Sequence, residues 1–285
     1  MKIFQTLSAF GLALLLAAVP ALAQEKQIPW EKGPCVGKLG GVAEVQVPKG
    51  MLFTSGEGVK TFYELTENIY DPSHLGVILV PGEKEGEEPW FAIFSFDALG
   101  YVKDDEKASL DAKAILESIK EGTSKANGER RKRGWPTMEV LGWQQQPFYD
   151  AATHNLTWSV LAHAENEKGN VLNHSVRLLG RSGVMKIDMV TSPEIAKEKL
   201  PQFNGLVGAF HYTAGNRYAE FKAGDKVAAI GLTALVAGGA GAALAKSGLL
   251  GKLWKFLLLG LAAAAGAIRK LWNKLFGKET VDPQG

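Results

Sequence analysis

Residues 227–268 form an almost uninterrupted apolar tract, broken only by Lys246, Lys252 and Lys255. A run of this length has to be kept from water by lipid or protein, so it constrains the rest of the chain first. It divides into residues 227–245, rich in Ala and Gly, and residues 249–268, richer in Leu. Each is long enough to span a bilayer as a helix, although Lys252 and Lys255 would have to reach back to the surface. Arg269, Lys270, Lys274 and Lys278 follow, and Trp254 and Trp272 suit an interfacial position. One crossing places the four trailing cations in the cytoplasm, as the positive-inside rule prefers. Two crossings keep Lys246, Lys252 and Lys255 inside. A helical hairpin and a single span with an interfacial helix both remain open.

The other end carries the matching signal. Lys2 precedes an apolar run, Leu7 to Val19, and Ala21 and Ala23 form a small-x-small cleavage site. This predicts a secretory signal over residues 1–23, an exported domain over 24–222, an anchor over 223–278 and a polar tail over 279–285. In a bacterium that places the chain in the inner membrane, with its main domain on the periplasmic side. Cys35 stands alone, so no intrachain disulfide is possible. With 32 basic against 30 acidic residues the net charge is only +2, which gives no argument for a nucleic-acid partner.

Between these ends the pattern predicts an α+β fold, an antiparallel sheet with packed helices. Residues 42–47 read as a strand, 59–70 as a helix, and 75–80 and 90–96 as strands. The last has large aromatics on both faces and is expected at the centre of a sheet. A helix starts from Ser109 or Asp111 and stops at Gly134 and Pro136. Its basic end, Arg130 to Arg133, complements the helix dipole. A four-strand meander follows, with turns at residues 147–152, 166–170 and 180–183. Ser192 and Pro193 open another helix, which Pro201 is expected to kink or break, and residues 206–212 return as a strand.

Chemistry-bearing residues are few. There is no Gly-x-Ser-x-Gly elbow, His-Glu-x-x-His, Cys-x-x-Cys or dinucleotide fingerprint. The Gly-rich stretch at 238–247 lacks the glycine before Lys246 that a phosphate loop requires. Asp150 and His154 are candidates for an acid–base pair, although Asp150 also suits a turn start. His163 and His174 are candidate ligand-binding residues. They face each other only if residues 168–169 form a two-residue hairpin loop. That register sets Leu156, Trp158, Val160 and Ala162 beside Asn173, Ser175 and Arg177. A three-residue loop, 167–169, aligns the apolar rows and is favoured, with His174 facing Ala162. No metal or cofactor is expected. Ala237, Gly241 and Ala245, with Gly238 and Ala242, recur at four-residue spacing and suit close helix packing in the membrane.

The stretches GYVKDDE at 100–106, KRGWP at 132–136, YDAATH at 149–154, YAEF at 218–221 and AGGAG at 237–241 resemble a family of uncharacterised membrane-anchored bacterial proteins, grouped as a domain of unknown function. The resemblance covers nearly the whole chain after residue 23 and implies an envelope location with a C-terminal anchor; it brings no activity, cofactor or site residue. The order of elements is also loosely similar to small periplasmic or lumenal α+β binding domains, which does not by itself imply function. The favoured expectation is a non-enzymatic binding or scaffolding module, partnered by the membrane and by an envelope protein or a second copy through the Gly/Ala-rich helix. The alternative is an envelope hydrolase or metal-dependent enzyme.

Overall fold

The computed structural model describes residues 27–82, 88–107 and 110–237. The signal segment 1–23, residues 238–245 of the first apolar segment, the second apolar segment and the tail lie outside the described residues. Among the described residues no helix is long and apolar enough to cross a membrane.

The chain opens with β1 (Glu31–Lys32), β2 (Cys35–Leu39), β3 (Ala43–Val47), β4 (Leu52–Ser55) and α1 (Glu57–Leu65). Next come β5 (His74–Val80), β6 (Trp90–Asp97) and α2 (Ala112–Lys132). The meander is β7 (Met138–Asp150), β8 (Asn155–Ala164), β9 (Asn170–Leu179) and β10 (Val184–Thr191). The chain then forms α3 (Pro193–Gly208), β11 (Phe210–Tyr212), a 3-10 turn at Tyr218–Glu220 and α4 (Leu232–Val236). Eight strands make one antiparallel sheet in the order β1-β4-β5-β6-β10-β9-β8-β7, and β11-β3-β2 make a second. The fold is α+β, as the pattern predicts.

Alternation along β6 shows how the layers form. Trp90, Ala92 and Phe94 pack with Leu39, Val45 and Val47 of the small sheet and Phe203 and Leu206 of α3. Phe91 and Ile93 face the other way, onto Val59 and Phe62 of α1. Farther along that second face, Ile115 of α2 packs with Leu156, Trp158 and Val160. The expected central strand is therefore central, with both faces buried. The Asp111 carboxylate caps α2 by accepting from the Ala114 amide at 3.0 Å, and Gly134 takes φ 69 just past its end.

Four local expectations are corrected. β7 runs on through Pro147 to Asp150, bending at three register shifts, so the turn is confined to residues 151–154. α3 continues through Pro201 to Gly208, because fully buried Phe203 and Leu206 hold its far half on the sheet. The last strand shrinks to Phe210–Tyr212. The β8–β9 register is neither of those weighed: His174 pairs with Ser159 and His163 with Asn170. Asn166, at φ 67, takes the left-handed turn position expected of Gly169, and Glu165 stays bonded to Thr137 beside β7, which lengthens the loop.

Candidate functional site

Asp150 and His154 flank the short turn after β7, but they do not pair with each other. Asp150 accepts from the Ala152 amide at 2.8 Å and the Thr153 hydroxyl at 2.9 Å. Those bonds hold its carboxyl below the usual carboxylate range, the Ala152 amide contributing most. The carboxylate is committed to the turn. His154, at φ 54, turns its ring the other way, with Nδ1 3.2 Å from the Tyr149 hydroxyl. That hydroxyl donates its one proton to Asp104 at 3.1 Å, so the bond to His154 requires the Nδ1–H form, donating to the Tyr149 oxygen.

The result is a carboxylate–phenol–imidazole chain, Asp104 to Tyr149 to His154. The imidazole then meets the Tyr218 ring at 4.6 Å between centroids. Tyr218 stacks on Tyr101 at 4.4 Å and 15°, and Phe221 meets Tyr101 at 4.1 Å. Burial pushes the Tyr149 and Tyr218 phenols well up, with Asp104 and Tyr101 adding to it. A phenol shifted in that direction stays protonated. It serves as a donor and a packing surface, whereas a nucleophile or base needs the opposite shift.

The cluster holds the C-terminal segment onto the domain. Arg181 grips Asp225 through two bonds of 2.7 Å, and Gly180 bridges to Arg217. Hydrogen bonding to Arg181 draws the Asp225 carboxyl down to about 2. The Tyr101 amide donates to the Lys226 carbonyl, and the Ala228 amide donates to the Tyr101 carbonyl, both at 2.8 Å. Glu106 accepts from the Thr233 amide at 2.9 Å. Leu232, Leu235, Val236 and Ala237 are then buried with Val102, Ile115 and Trp158. Residues 213–237 thus form a fastened strap. Ala237, expected to pack in a membrane helix, is a core residue of this domain; Gly238, Gly241, Ala242 and Ala245 lie outside the described residues.

The two hairpin histidines are not brought together. Both lie on one face of the sheet, but their partners on β9 and β8 place them four residues apart along β9, roughly 13 Å. His174 is buried beside Phe203, 2.6 Å from the Ser159 hydroxyl, and burial pulls its pKa to about 4. His163 bonds Asn170 at 3.2 Å and lines an open cleft of about 680 Å³ between α2 and β7. Lys120, Asn127, Glu139 and Asn166 share that lining with Met138 and Val140. Among the described residues no group of three or more His, Cys, Asp or Glu is placed to hold a metal ion.

The opposite face of the sheet holds a polar centre that sequence reasoning missed. Arg177 and Asp188 form a buried ion pair, Ser175 donates to Asp188 at 2.6 Å, and Lys186 meets Asp97 at 2.9 Å. His74 stacks on Tyr63 at 4.3 Å and accepts the Asp71 amide on Nδ1. Burial, with Lys186 adding to it, pulls His74 to about 4. Asp104, Tyr101, Arg181 and Asp225 of the strap site were also missed as site residues. For Tyr101 and Asp104 the one sequence-level signal was the resemblance carried by stretches 100–106, 149–154 and 218–221, which converge here; Arg181 and Asp225 lie outside those stretches.

Fold and site together define an α+β domain whose own C-terminal segment is strapped across it by an aromatic and carboxylate cluster. The chain belongs to the family described as protein of unknown function (DUF2167), whose model matches residues 31–269. The match takes in the folded domain and runs into the apolar tract. No curated protein matches the chain. Among solved structures it is similar to cyanobacterial PsbP (CyanoP) from Synechocystis sp. PCC 6803, at 11% identity over 68% of this chain and 99% of that one, with a TM-score of 0.36. A protein of unknown function from Pseudomonas aeruginosa, PA94, matches at 10% identity over 61% of this chain and 92% of that one, TM-score 0.29. The Saccharomyces cerevisiae Ran-binding protein Mog1p matches at 12% over 67% and 100%, TM-score 0.30.

Proposed function

We propose that the chain is a bacterial envelope protein held in the inner membrane by its C-terminal apolar tract, with the folded domain in the periplasm acting as a non-enzymatic binding or scaffolding module. The observation that carries this reading is the use made of the candidate catalytic side chains. Asp150 closes a turn, and His154 and Tyr149 support Tyr218 of the strap. A domain fastened to the segment that enters the apolar tract holds a defined position, which suits a scaffold. The open polar cleft between α2 and β7 is the surface offered to a partner. Its side chains can both donate and accept hydrogen bonds, as a polar protein surface requires.

Photo-crosslinking in intact cells tests the reading. A crosslinking residue replacing Lys120, Glu139 or His163 should give one recurrent adduct, absent when the same group replaces Val36, an exposed residue on the small sheet. An adduct of twice the chain mass would identify a second copy as the partner. Equal labelling at Val36 and at the cleft positions would remove the binding role, and a domain found outside the periplasm would remove the address.

A further inference from the structure

We propose that the loop at residues 221–227, wrapped around Tyr101, is a contact face for the headgroup layer of an anionic bilayer; this rests on the anchoring reading above. Among the described residues Phe221 and Val227 are exposed large hydrophobics, 37% and 43% accessible, and both belong to the strap. They are held in one place. The Phe221 ring lies 4.1 Å from that of Tyr101, and Val227 forms a backbone bridge with Tyr101. An isolated exposed apolar side chain needs no explanation, but two fixed around one aromatic ring make a small built surface.

Within residues 221–227 the exposed charge has one sign: Lys222 and Lys226 are both exposed. The loop's acidic residue, Asp225, is occupied by Arg181. Apolar tips bordered by lysines match the boundary between acyl chains and anionic headgroups, where the stems bury and the ammonium groups stay among phosphates. Position agrees with chemistry. Ala237 is still packed in the domain, and the apolar tract continues from Gly238. The strap, being bonded along its length, cannot lengthen to carry the loop far from the point of entry.

The test uses the full chain with Cys35→Ser, reconstituted in vesicles containing about a third phosphatidylglycerol. Nitroxide labels are placed through Phe221→Cys, Val227→Cys and, as control, Phe148→Cys, which is 61% exposed on β7. Power saturation should show collision with dissolved oxygen exceeding collision with a water-soluble nickel chelate at 221 and 227, and the reverse order at 148. Lys222→Glu with Lys226→Glu should abolish the difference. If the chain floats with vesicles while 221 and 227 behave like 148, the contact face is overturned and anchoring survives. If the chain does not float, both fall.

Discussion

Arg177 and Asp188 meet at 2.8 Å within the large sheet, their side chains 7% and 5% exposed, with the guanidinium 4.6 Å from the centre of the Trp158 ring. Removing one partner leaves a charge in a medium that cannot solvate it. Asp188→Ala is expected to lower the unfolding free energy by about 3–5 kcal/mol, read by urea denaturation. Arg177→Met with Asp188→Leu should recover most of that loss. A single-substitution loss under about 1 kcal/mol would mean that water reaches the pair.

Two buried histidines predict loss of stability in mild acid. His74 and His174 are held near 4 chiefly by burial, against about 6.5 in an unfolded chain. Between those values the unfolded chain binds more protons, so stability rises with pH. Their contribution is complete above about 6.5, falls as pH drops toward 4 and is constant below; each is on the order of 3 kcal/mol. His174→Leu should make the plot of unfolding free energy against pH shallower across this window. An unchanged slope in both His174→Leu and His74→Leu would discard the idea.

Tyr212 fastens the small sheet to the large one. Its hydroxyl donates to the Leu178 carbonyl at 2.7 Å and accepts from the Met185 amide at 2.8 Å. Tyr212→Phe strips both bonds from a buried site and should cost about 1–3 kcal/mol. Gly180→Ala acts at the same contact, since a Cβ there would stand 2.7 Å from the Tyr212 ring. Denaturation midpoints that stay at the parent value for both variants would show the contact to be idle.

The strap should come free before the domain unfolds. Gly100 has φ 101, and a Cβ there would lie 2.6 Å from the Lys226 carbonyl oxygen. Gly100→Ala is therefore expected to speed hydrogen exchange across residues 222–237 while amides of β6 and β10 keep parental rates. Asp225→Ala should do the same from the other side of the strap. Acceleration spread evenly over the molecule would instead make the strap inseparable from the global fold.

The hairpin register shows where sequence reading stopped. Apolar Leu156, Trp158 and Val160 were not expected beside Arg177, Ser175 and Asn173, because a polar row usually faces water. They are neighbours all the same: Asp188, on the next strand, neutralises Arg177 and makes that row fit to bury. His154 turns away from Asp150 for a similar reason: its ring meets Tyr218, and its hydrogen-bond partner Tyr149 is held by Asp104, both far away along the chain.

By itself the sequence determined the features that need only near neighbours: the α+β alternation, the doubly buried β6, the start of α2 at Ser109 or Asp111 and its stop at Gly134. Period, cap and turn chemistry are local, so they can be read from a few adjacent residues. Only the tertiary structure decided that Arg177 is buried, that α3 survives Pro201, and that Leu232 to Ala237 belong to a folded core. Burial of a charge, a helix break or an apolar stretch is favourable only once a complementary surface arrives, and here that surface comes from distant parts of the chain.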